Sequence, residues 1–178
     1  MIEVRIHGRG GQGSVVAAEL MALAAFEDGK FSQAFPAFGA ERRGAPVMAF
    51  VRIDEKAIRT KEYVYAPNYV IVQDATLVGS VDVVKGLRKG GIVIVNTPAE
   101  SIKINGAKVL AIDATKIAKE VIGRPIVNTT LLGAFVGFTG EIKLESLIKA
   151  VRERFPGALG EKNIAAIEKV YEICRGGE

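Results

Sequence analysis

Near its N-terminus the chain has a strand-like segment that runs directly into a glycine-rich turn, and this junction constrains the fold more than any other feature. Residues 2–7 are Ile-Glu-Val-Arg-Ile-His, residues 8–13 are Gly-Arg-Gly-Gly-Gln-Gly, and a helix-like run follows from Ser14. Glycines let a ligand approach the backbone, and the N–H groups and dipole at a helix start favour a negative charge. The junction therefore predicts an α/β fold with an anion-binding turn after its first strand.

The glycine spacing matches one nucleotide-binding pattern and half of another. Gly8, Gly10 and Gly13 fit Gly-x-Gly-x-x-Gly, the pattern of dinucleotide-binding folds. Those folds also need an acidic residue roughly 20 positions further on to bind the ribose, and the predicted second strand ends at Pro36 without one. The second pattern, Gly-x4-Gly-Lys-Ser/Thr, is typical of phosphate-binding loops. Gly8 and Gly13 match it, but Ser14 occupies the position of the lysine. The spacing argues against NAD and ATP, and a tight turn without a ligand is the alternative.

Composition limits the classes of protein to which this chain can belong. Its 178 residues, 49% of them hydrophobic, predict one domain, residues 1–178, with its own core. Cys174 is the only cysteine, so the chain has no intrachain disulfide and too few ligands for a zinc site or an iron–sulfur cluster. The net charge is +4, but basic and acidic residues are intermixed, so we expect no nucleic-acid binding. Since the sequence shows no leader and no apolar stretch of roughly 18 residues, we expect a cytoplasmic protein that binds no membrane.

Hydrophobic patterns predict alternating strands and helices. Strand-like runs lie at residues 2–6, 31–35, 47–53, 69–73, 92–95 and 109–113. Helix-like runs lie at 13–27, around Leu77, Val81 and Val84, at 115–122, from a cap at 128–130 through Phe138, and in two amphipathic runs at 144–155 and 164–174. The first strand, helix and second strand predict a βαβ unit, and the third strand predicts a hairpin with a short partner at 62–65. Together the runs predict a three-layer α/β/α sandwich with a mostly parallel, mixed central sheet and a Rossmann-like start.

Four loops are expected to meet at one edge of this sheet, at residues 8–13, 36–46, 74–75 and 96–98. In sheets of this kind, ligands collect beyond the carboxyl ends of the strands. A shared edge would let the loops act together on one ligand.

The second of these loops carries two adjacent arginines between glycines. Residues 35–46 are Phe-Pro-Ala-Phe-Gly-Ala-Glu-Arg-Arg-Gly-Ala-Pro. The planar guanidinium groups of Arg42 and Arg43 suit phosphates or carboxylates. The alternative is internal, with Glu41 pairing with Arg43 or Arg9 to hold the loop. The two phenylalanines are equally compatible with a partner surface and with the core.

Taken together, the two loops resemble a known protein family. The segments Gly-Arg-Gly-Gly-Gln-Gly at residues 8–13 and Gln-Ala-Phe-Pro-Ala-Phe-Gly-Ala-Glu-Arg-Arg-Gly-Ala-Pro at 33–46 resemble the gamma subunit of 2-oxoacid:ferredoxin oxidoreductases, of the pyruvate or 2-oxoisovalerate type. The resemblance spans nearly the whole chain and includes Asn-Thr-Thr-Leu-Leu-Gly-Ala at 128–134 and Leu-Gly-Glu-Lys-Asn at 159–163. An indolepyruvate or 2-oxoglutarate enzyme is the nearest alternative within the family.

The resemblance implies a heterotetramer of alpha, beta, gamma and delta subunits. Such an enzyme decarboxylates a 2-oxoacid on thiamine diphosphate with Mg, passes electrons through iron–sulfur clusters to ferredoxin, and releases an acyl-coenzyme A. This chain has no Gly-Asp-Gly segment to hold thiamine diphosphate and too few cysteines for a cluster. We therefore expect that the chain alone binds none of these cofactors and carries no catalytic residue. Its only histidine, His7, is expected to position the glycine turn.

The remaining role is binding, and coenzyme A is the polyanionic substrate that the resemblance implies. We expect the glycine turn and the arginine loop to hold its phosphates, or to form an interface with the catalytic subunits. The candidate residues are Gly8, Arg9, Gly10, Gly11, Gln12, Gly13, Gly39, Glu41, Arg42, Arg43, Gly44, Asn128 and Thr129. A purely structural scaffold subunit is the competing hypothesis, because interfaces also favour arginine and aromatic residues. A stand-alone nucleotide-dependent oxidoreductase is disfavoured by the missing ribose-binding acid.

Overall fold

A mixed β-sheet forms the centre of the molecule in the computed structural model, which describes residues 1–37 and 42–175. Within these residues the sheet has six strands in the order β2-β3-β1-β4-β5-β6. The strands are β1 (Ile2–Arg9), β2 (Phe31–Pro36), β3 (Pro46–Asp54), β4 (Tyr69–Val72), β5 (Ile92–Asn96) and β6 (Lys108–Ile112). The strands β1, β4, β5 and β6 are parallel, and β3 runs antiparallel to both β1 and β2.

The position of β3 corrects two predictions about the first half of the chain. The strands β1 and β2 have the same direction, but β3 lies between them, so they are not neighbours in a βαβ unit. A short connection after β2 favours antiparallel pairing of the next strand, which explains the insertion. The predicted hairpin with residues 62–65 is wrong, because β3 already pairs with β2 on one edge and with β1 on the other.

The α-helices of the described residues all pack into one core on one face of the sheet. They are α1 (Ser14–Glu27), α2 (Ala114–Val121), α3 (Val127–Thr139), α4 (Leu144–Arg154) and α5 (Ala158–Cys174). The central helix α3 lies so close to α5 that a Cβ on Gly133 would come within 2.3 Å of the Ile167 carbonyl oxygen. No helix in the described ranges is both long and apolar enough to cross a membrane.

The opposite face of the sheet is covered by a short 3₁₀ helix, Ala75–Leu77, and by turns. The predicted α-helix through Leu77, Val81 and Val84 is wrong. The carbonyl groups of Val83 and Lys85 accept hydrogen bonds from the Arg5 guanidinium, at 3.0 and 2.7 Å, and are therefore turned away from helical partners. The α/β class with a mixed, mostly parallel sheet is confirmed, and its third layer is built of turns.

Candidate functional site

The glycine turn lies at the carboxyl edge of the sheet and is hydrogen-bonded to the arginine loop. The strand β1 continues to Arg9, further than the sequence predicts, and Gly10 then forms a bridge with Arg43. The Gly10 N–H donates to the Ala45 carbonyl oxygen at 2.9 Å, and the Gly44 N–H donates to the Gly10 carbonyl oxygen at 3.1 Å. The predicted meeting of these two loops at one edge is confirmed.

Most glycines of the turn are required by packing within the chain. A Cβ on Gly8 would lie 2.3 Å from Ser14 Oγ, and one on Gly10 would lie 2.3 Å from the Arg42 carbonyl oxygen. Gly13 has a φ of 75° and precedes α1, while Gly11 has a φ of 94° and nothing within 4 Å of its Cβ position. The turn is therefore open to an incoming ligand at Gly11.

Gly10→Ala is expected to destabilise the chain by about 1–3 kcal/mol, because the new methyl group must displace the Arg42 carbonyl group. Denaturant unfolding measures the loss. Gly79→Ala is the matched control, since Gly79 has open space around its Cβ position and a φ that any residue can adopt. Equal stability of the two variants would contradict the close approach of the two loops.

Arg9 holds the ends of several loops together. Its Nε donates to Asp74 Oδ2 at 2.9 Å, its Nη1 to the Gly44 carbonyl oxygen at 3.0 Å, and its Nη2 to Thr76 Oγ1 at 2.8 Å. Its backbone N–H donates to Gln12 Oε1 at 2.7 Å. Arg9 thus forms an internal network, and the acidic partner is Asp74, which sequence reasoning did not identify.

Asp74 remains ionised over the physiological range of pH. Partial burial raises its pKa, but hydrogen bonds from Thr76 and Arg9 outweigh this effect and lower the pKa below its usual value. A carboxyl group with a lowered pKa stabilises the fold above the pKa of the unfolded chain, and loses this contribution as the pH falls through the folded value. The Arg9 network is therefore intact at neutral pH and weakens only in strong acid.

Arg42 and Arg43 are exposed and line a cavity of about 560 Å³ together with the glycine turn. Neither guanidinium group forms an ion pair or a hydrogen bond with any residue in the described ranges 1–37 and 42–175. Gly39 and Glu41, which the sequence analysis included in the site, lie outside the described residues. The two arginines thus present positive charge beside Gly11.

A second cavity of about 670 Å³ adjoins the first and shares Gly11 and Gln12 with it. Its polar lining comes from the ends of the parallel strands and the starts of α2 and α3, and includes Gln73, Asp74, Asn96, Thr115 and Asn128. Gln73 is 1% exposed, and its Oε1 accepts a hydrogen bond from Ser14 Oγ at 3.0 Å. Its Nε2 has no partner among the residues that the structure describes. The polar lining of the cavity therefore consists of amide and hydroxyl groups together with the Asp74 carboxylate, which is paired with Arg9.

Sequence reasoning missed Gln73 and Thr115 as site residues, and it placed Asn96 at the ligand edge, in the loop 96–98, without assigning it a role. Asn96 Nδ2 donates to the Gln73 carbonyl oxygen and to Thr115 Oγ1, both at 2.9 Å. The available signal was their position: Gln73 follows β4 directly and Asn96 ends β5, so both lie at the edge where ligands collect.

Asn128 lines the cavity, whereas Thr129 does not and is buried. Asn128 Nδ2 donates to the Gly13 carbonyl oxygen at 3.2 Å, and Thr129 Oγ1 donates to Asn163 Oδ1 at 2.6 Å. The predicted cap at residues 128–130 is wrong, because Ile126 precedes the helix and no side chain caps it. The side chains of Asn128 and Thr129 form the hydrogen bonds given above, and Thr130 Oγ1 donates to the Ile126 carbonyl oxygen.

His7 faces away from both cavities and is paired within the chain. Its Nε2 accepts a hydrogen bond from Arg5 Nε at 3.1 Å. Burial, and then the Arg5 charge, lower the pKa of His7 to about 4, so it is neutral at physiological pH. Within the described part of the chain, no three His, Cys, Asp or Glu side chains form a group that could hold a metal ion.

Comparison with known proteins identifies the family. Residues 3–173 match the pyruvate ferredoxin/flavodoxin oxidoreductase family. The chain belongs to this family. Among the family's proteins, pyruvate synthase subunit PorC of Methanosarcina barkeri is 62% identical over the full length of both chains. The pyruvate/ketoisovalerate oxidoreductases common subunit gamma of Thermococcus kodakarensis is 54% identical over 96% of each chain.

Solved structures share the fold. The pyruvate oxidoreductase subunit PORC of Thermotoga maritima is 40% identical, with a TM-score of 0.82 over 96% of this chain and 95% of its own. The 2-oxoglutarate:ferredoxin oxidoreductase of Magnetococcus marinus is 19% identical, with a TM-score of 0.80 over 97% of this chain and 31% of its own, and shows the fold alone. The predicted resemblance is confirmed, and this chain is a gamma-type subunit of an oxidoreductase of the family.

Proposed function

We propose that this chain, as one domain, is the gamma subunit of a cytoplasmic pyruvate:ferredoxin oxidoreductase and assembles with alpha, beta and delta subunits. The names of the relatives support pyruvate or 2-oxoisovalerate as the substrate, in preference to indolepyruvate or 2-oxoglutarate. The complex would decarboxylate the 2-oxoacid oxidatively, reduce ferredoxin and transfer the acyl group to coenzyme A.

In this proposal the other subunits hold thiamine diphosphate, Mg and the iron–sulfur clusters. The sequence has one cysteine, Cys174, and a cluster is usually held by four cysteine ligands. Burial of the Cys174 thiol raises its pKa to about 11, which keeps it protonated and unreactive. The part left to this chain is to bind and orient a substrate.

The assignment of coenzyme A rests on Arg42 and Arg43, which lie beside the open Gly11 and have no ion-pair partner in residues 1–37 and 42–175. Arg42 and Arg43 line the first cavity with Gly11, and coenzyme A carries several phosphate charges. A charged hydrogen bond between arginine and phosphate contributes about 1.5–3 kcal/mol. The Magnetococcus marinus enzyme, which shares this fold, was solved with 2-oxoglutarate, coenzyme A and succinyl-CoA bound.

The adjoining cavity suits the uncharged part of the same ligand. Gln12, Gln73 and Asn128 offer amide groups there, and the pantetheine arm of coenzyme A contains amides that can exchange hydrogen bonds with them. Because the two cavities share Gly11 and Gln12, one molecule can extend from the arginines into the amide-lined space.

Arg42→Ala and Arg43→Ala test this proposal in the assembled enzyme. At least one variant is expected to raise the KM for coenzyme A by about tenfold to a hundredfold, the equivalent of one lost charged hydrogen bond. The KM for the 2-oxoacid should not change. Arg59→Ala is the matched control, since Arg59 is exposed and lines neither cavity. An unchanged KM for coenzyme A in a fully assembled enzyme would refute the assignment.

A scaffold role is the second candidate, because exposed arginines also suit a subunit interface. It predicts that the same two variants weaken assembly and leave the KM for coenzyme A unchanged. Sedimentation of the complex, measured beside the kinetics, separates the two roles.

A further inference from the structure

A third cavity lies on the face of the sheet that turns away from the helices. On this face, β1 and β3 place side chains opposite one another in three pairs: Glu3 with Arg52, Arg5 with Phe50, and His7 with Met48. The cavity has a volume of about 910 Å³ and shares no lining residue with the two cavities described above. It is therefore a separate site in the described part of the chain.

The cavity combines an apolar wall with a cationic floor. Val47, Met48, Phe50 and Val81 supply apolar surface, and Arg5 and His7 lie on β1 beneath them. The exposed side chains of Asp82 and Lys85, of opposite charge, also line the cavity. A volume of this size is in the range of small-molecule sites, roughly 300–1,000 Å³, which are mostly apolar with a few polar groups that fix orientation. The lining thus suits a molecule with one charged end and an apolar body.

Arg5 is a buried cation that forms no ion pair with a carboxylate in the described part of the chain. It is 6% exposed, its Nε donates to neutral His7, and its Nη2 donates to two carbonyl groups. Its Nη1 forms no hydrogen bond with residues 1–37 or 42–175, and no acidic group among them lies within ion-pair distance. Burial lowers the pKa of Arg5, and the exposed carboxylate of Asp82 offsets this only through its more distant charge.

The nearest carboxylate on the same strand face is already occupied. Glu3 Oε1 accepts from Arg52 Nε at 2.9 Å and Glu3 Oε2 accepts from Arg88 Nη2 at 3.1 Å. A buried charge is costly unless it is paired. An anion that enters the cavity would therefore supply the negatively charged partner of the Arg5 guanidinium.

We propose that this cavity binds an organic carboxylate with an apolar body, whose carboxylate pairs with Arg5 and whose body lies against Met48 and Phe50. The contact is charge-assisted and takes place away from water, which strengthens it. The ligand is distinct from coenzyme A, since the cavity is separate from the one that Arg42 and Arg43 line. This site goes beyond the proposed function and does not depend on it.

The test compares octanoate with its neutral counterpart octanamide by calorimetric titration of the full chain. Octanoate is expected to bind at least about tenfold more tightly, which is the effect of one charged hydrogen bond. Arg5→Gln should abolish the difference, and Arg88→Gln should keep it, because Arg88 bonds to Glu3 and Ala66 instead of lining the cavity. Val47→Phe, which fills the cavity and leaves Arg5 in place, should abolish octanoate binding.

The imidazole signals of His7 give a second readout that does not require a variant to fold. His7 is the only histidine of the chain, so its ring resonances in a proton spectrum at neutral pH are unambiguous. They should move on addition of octanoate and not on addition of octanamide. Equal binding of the two compounds, or unmoved His7 signals, would overturn the proposal.

A final arm distinguishes a free ligand from a neighbouring subunit. The assembled enzyme should bind octanoate more tightly than octanamide, and the assembled Arg5→Gln enzyme should bind the two compounds equally. Binding to the isolated chain that disappears on assembly would show that a partner subunit covers the cavity, and would refute a free carboxylate as its occupant.

Discussion

Glu3→Ala is expected to lower the free energy of unfolding by about 3–5 kcal/mol, because it leaves a buried arginine without its counter-charge. Glu3 bonds Arg52 and Arg88 through its two carboxylate oxygens, and Arg52 is 1% exposed. Arg52 Nη2 also donates to the Tyr63 carbonyl oxygen, which fixes the guanidinium in place and prevents it from reaching water. Denaturant unfolding of the isolated chain measures the effect.

Two further variants show that the loss arises from the unpaired charge. Glu172→Ala removes a glutamate that pairs with Arg175 at the surface, where ion pairs contribute about 0–1 kcal/mol. The double variant Glu3→Leu/Arg52→Met removes both buried charges and should lose less stability than Glu3→Ala alone. A Glu3→Ala variant that is as stable as Glu172→Ala would contradict the prediction.

Phe135→Ala is expected to cost about 3–5 kcal/mol, since it opens a cavity in the centre of the core. Phe135 is fully buried on α3, and its ring meets that of Tyr69 edge to face, with centroids 5.4 Å apart. Thermal or denaturant unfolding reports the loss, and the midpoint should fall without a change in the far-ultraviolet circular dichroism of the native state.

Phe26→Ala is the matched control for this substitution. Phe26 lies on α1 and is 68% exposed, so its removal should change stability by no more than about 0.5 kcal/mol. If the two variants lose similar amounts of stability, α3 is not the centre of the core.

Local sequence patterns predicted most elements of this fold. Continuous β-branched runs such as residues 92–95 are typical of strands buried on both faces, and the amphipathic runs in α4 and α5 follow helical spacing. The patterns failed where distant contacts decide the structure. Residues after Leu77 have helical spacing, but Arg5, some 80 positions earlier, takes their carbonyl groups.

The candidate site was predictable in its position but not in its details. Because parallel strands end at the same edge, sequence analysis correctly predicted that the glycine turn and the loop of Arg43 lie together. It did not identify Asp74 as the partner of Arg9 or the bond from Asn128 to Gly13, since these pairs are 65 and 115 residues apart. Glycine spacing alone could not distinguish close internal packing from room for a ligand.

The Arg9 network has a consequence for how the two adjoining cavities communicate. One guanidinium group is bonded to Asp74 and Thr76, on the amide-lined side, and to Gly44, on the arginine side. A displacement of either side would strain the same set of bonds. The walls of the two cavities are therefore tied to each other through the hydrogen bonds of a single side chain.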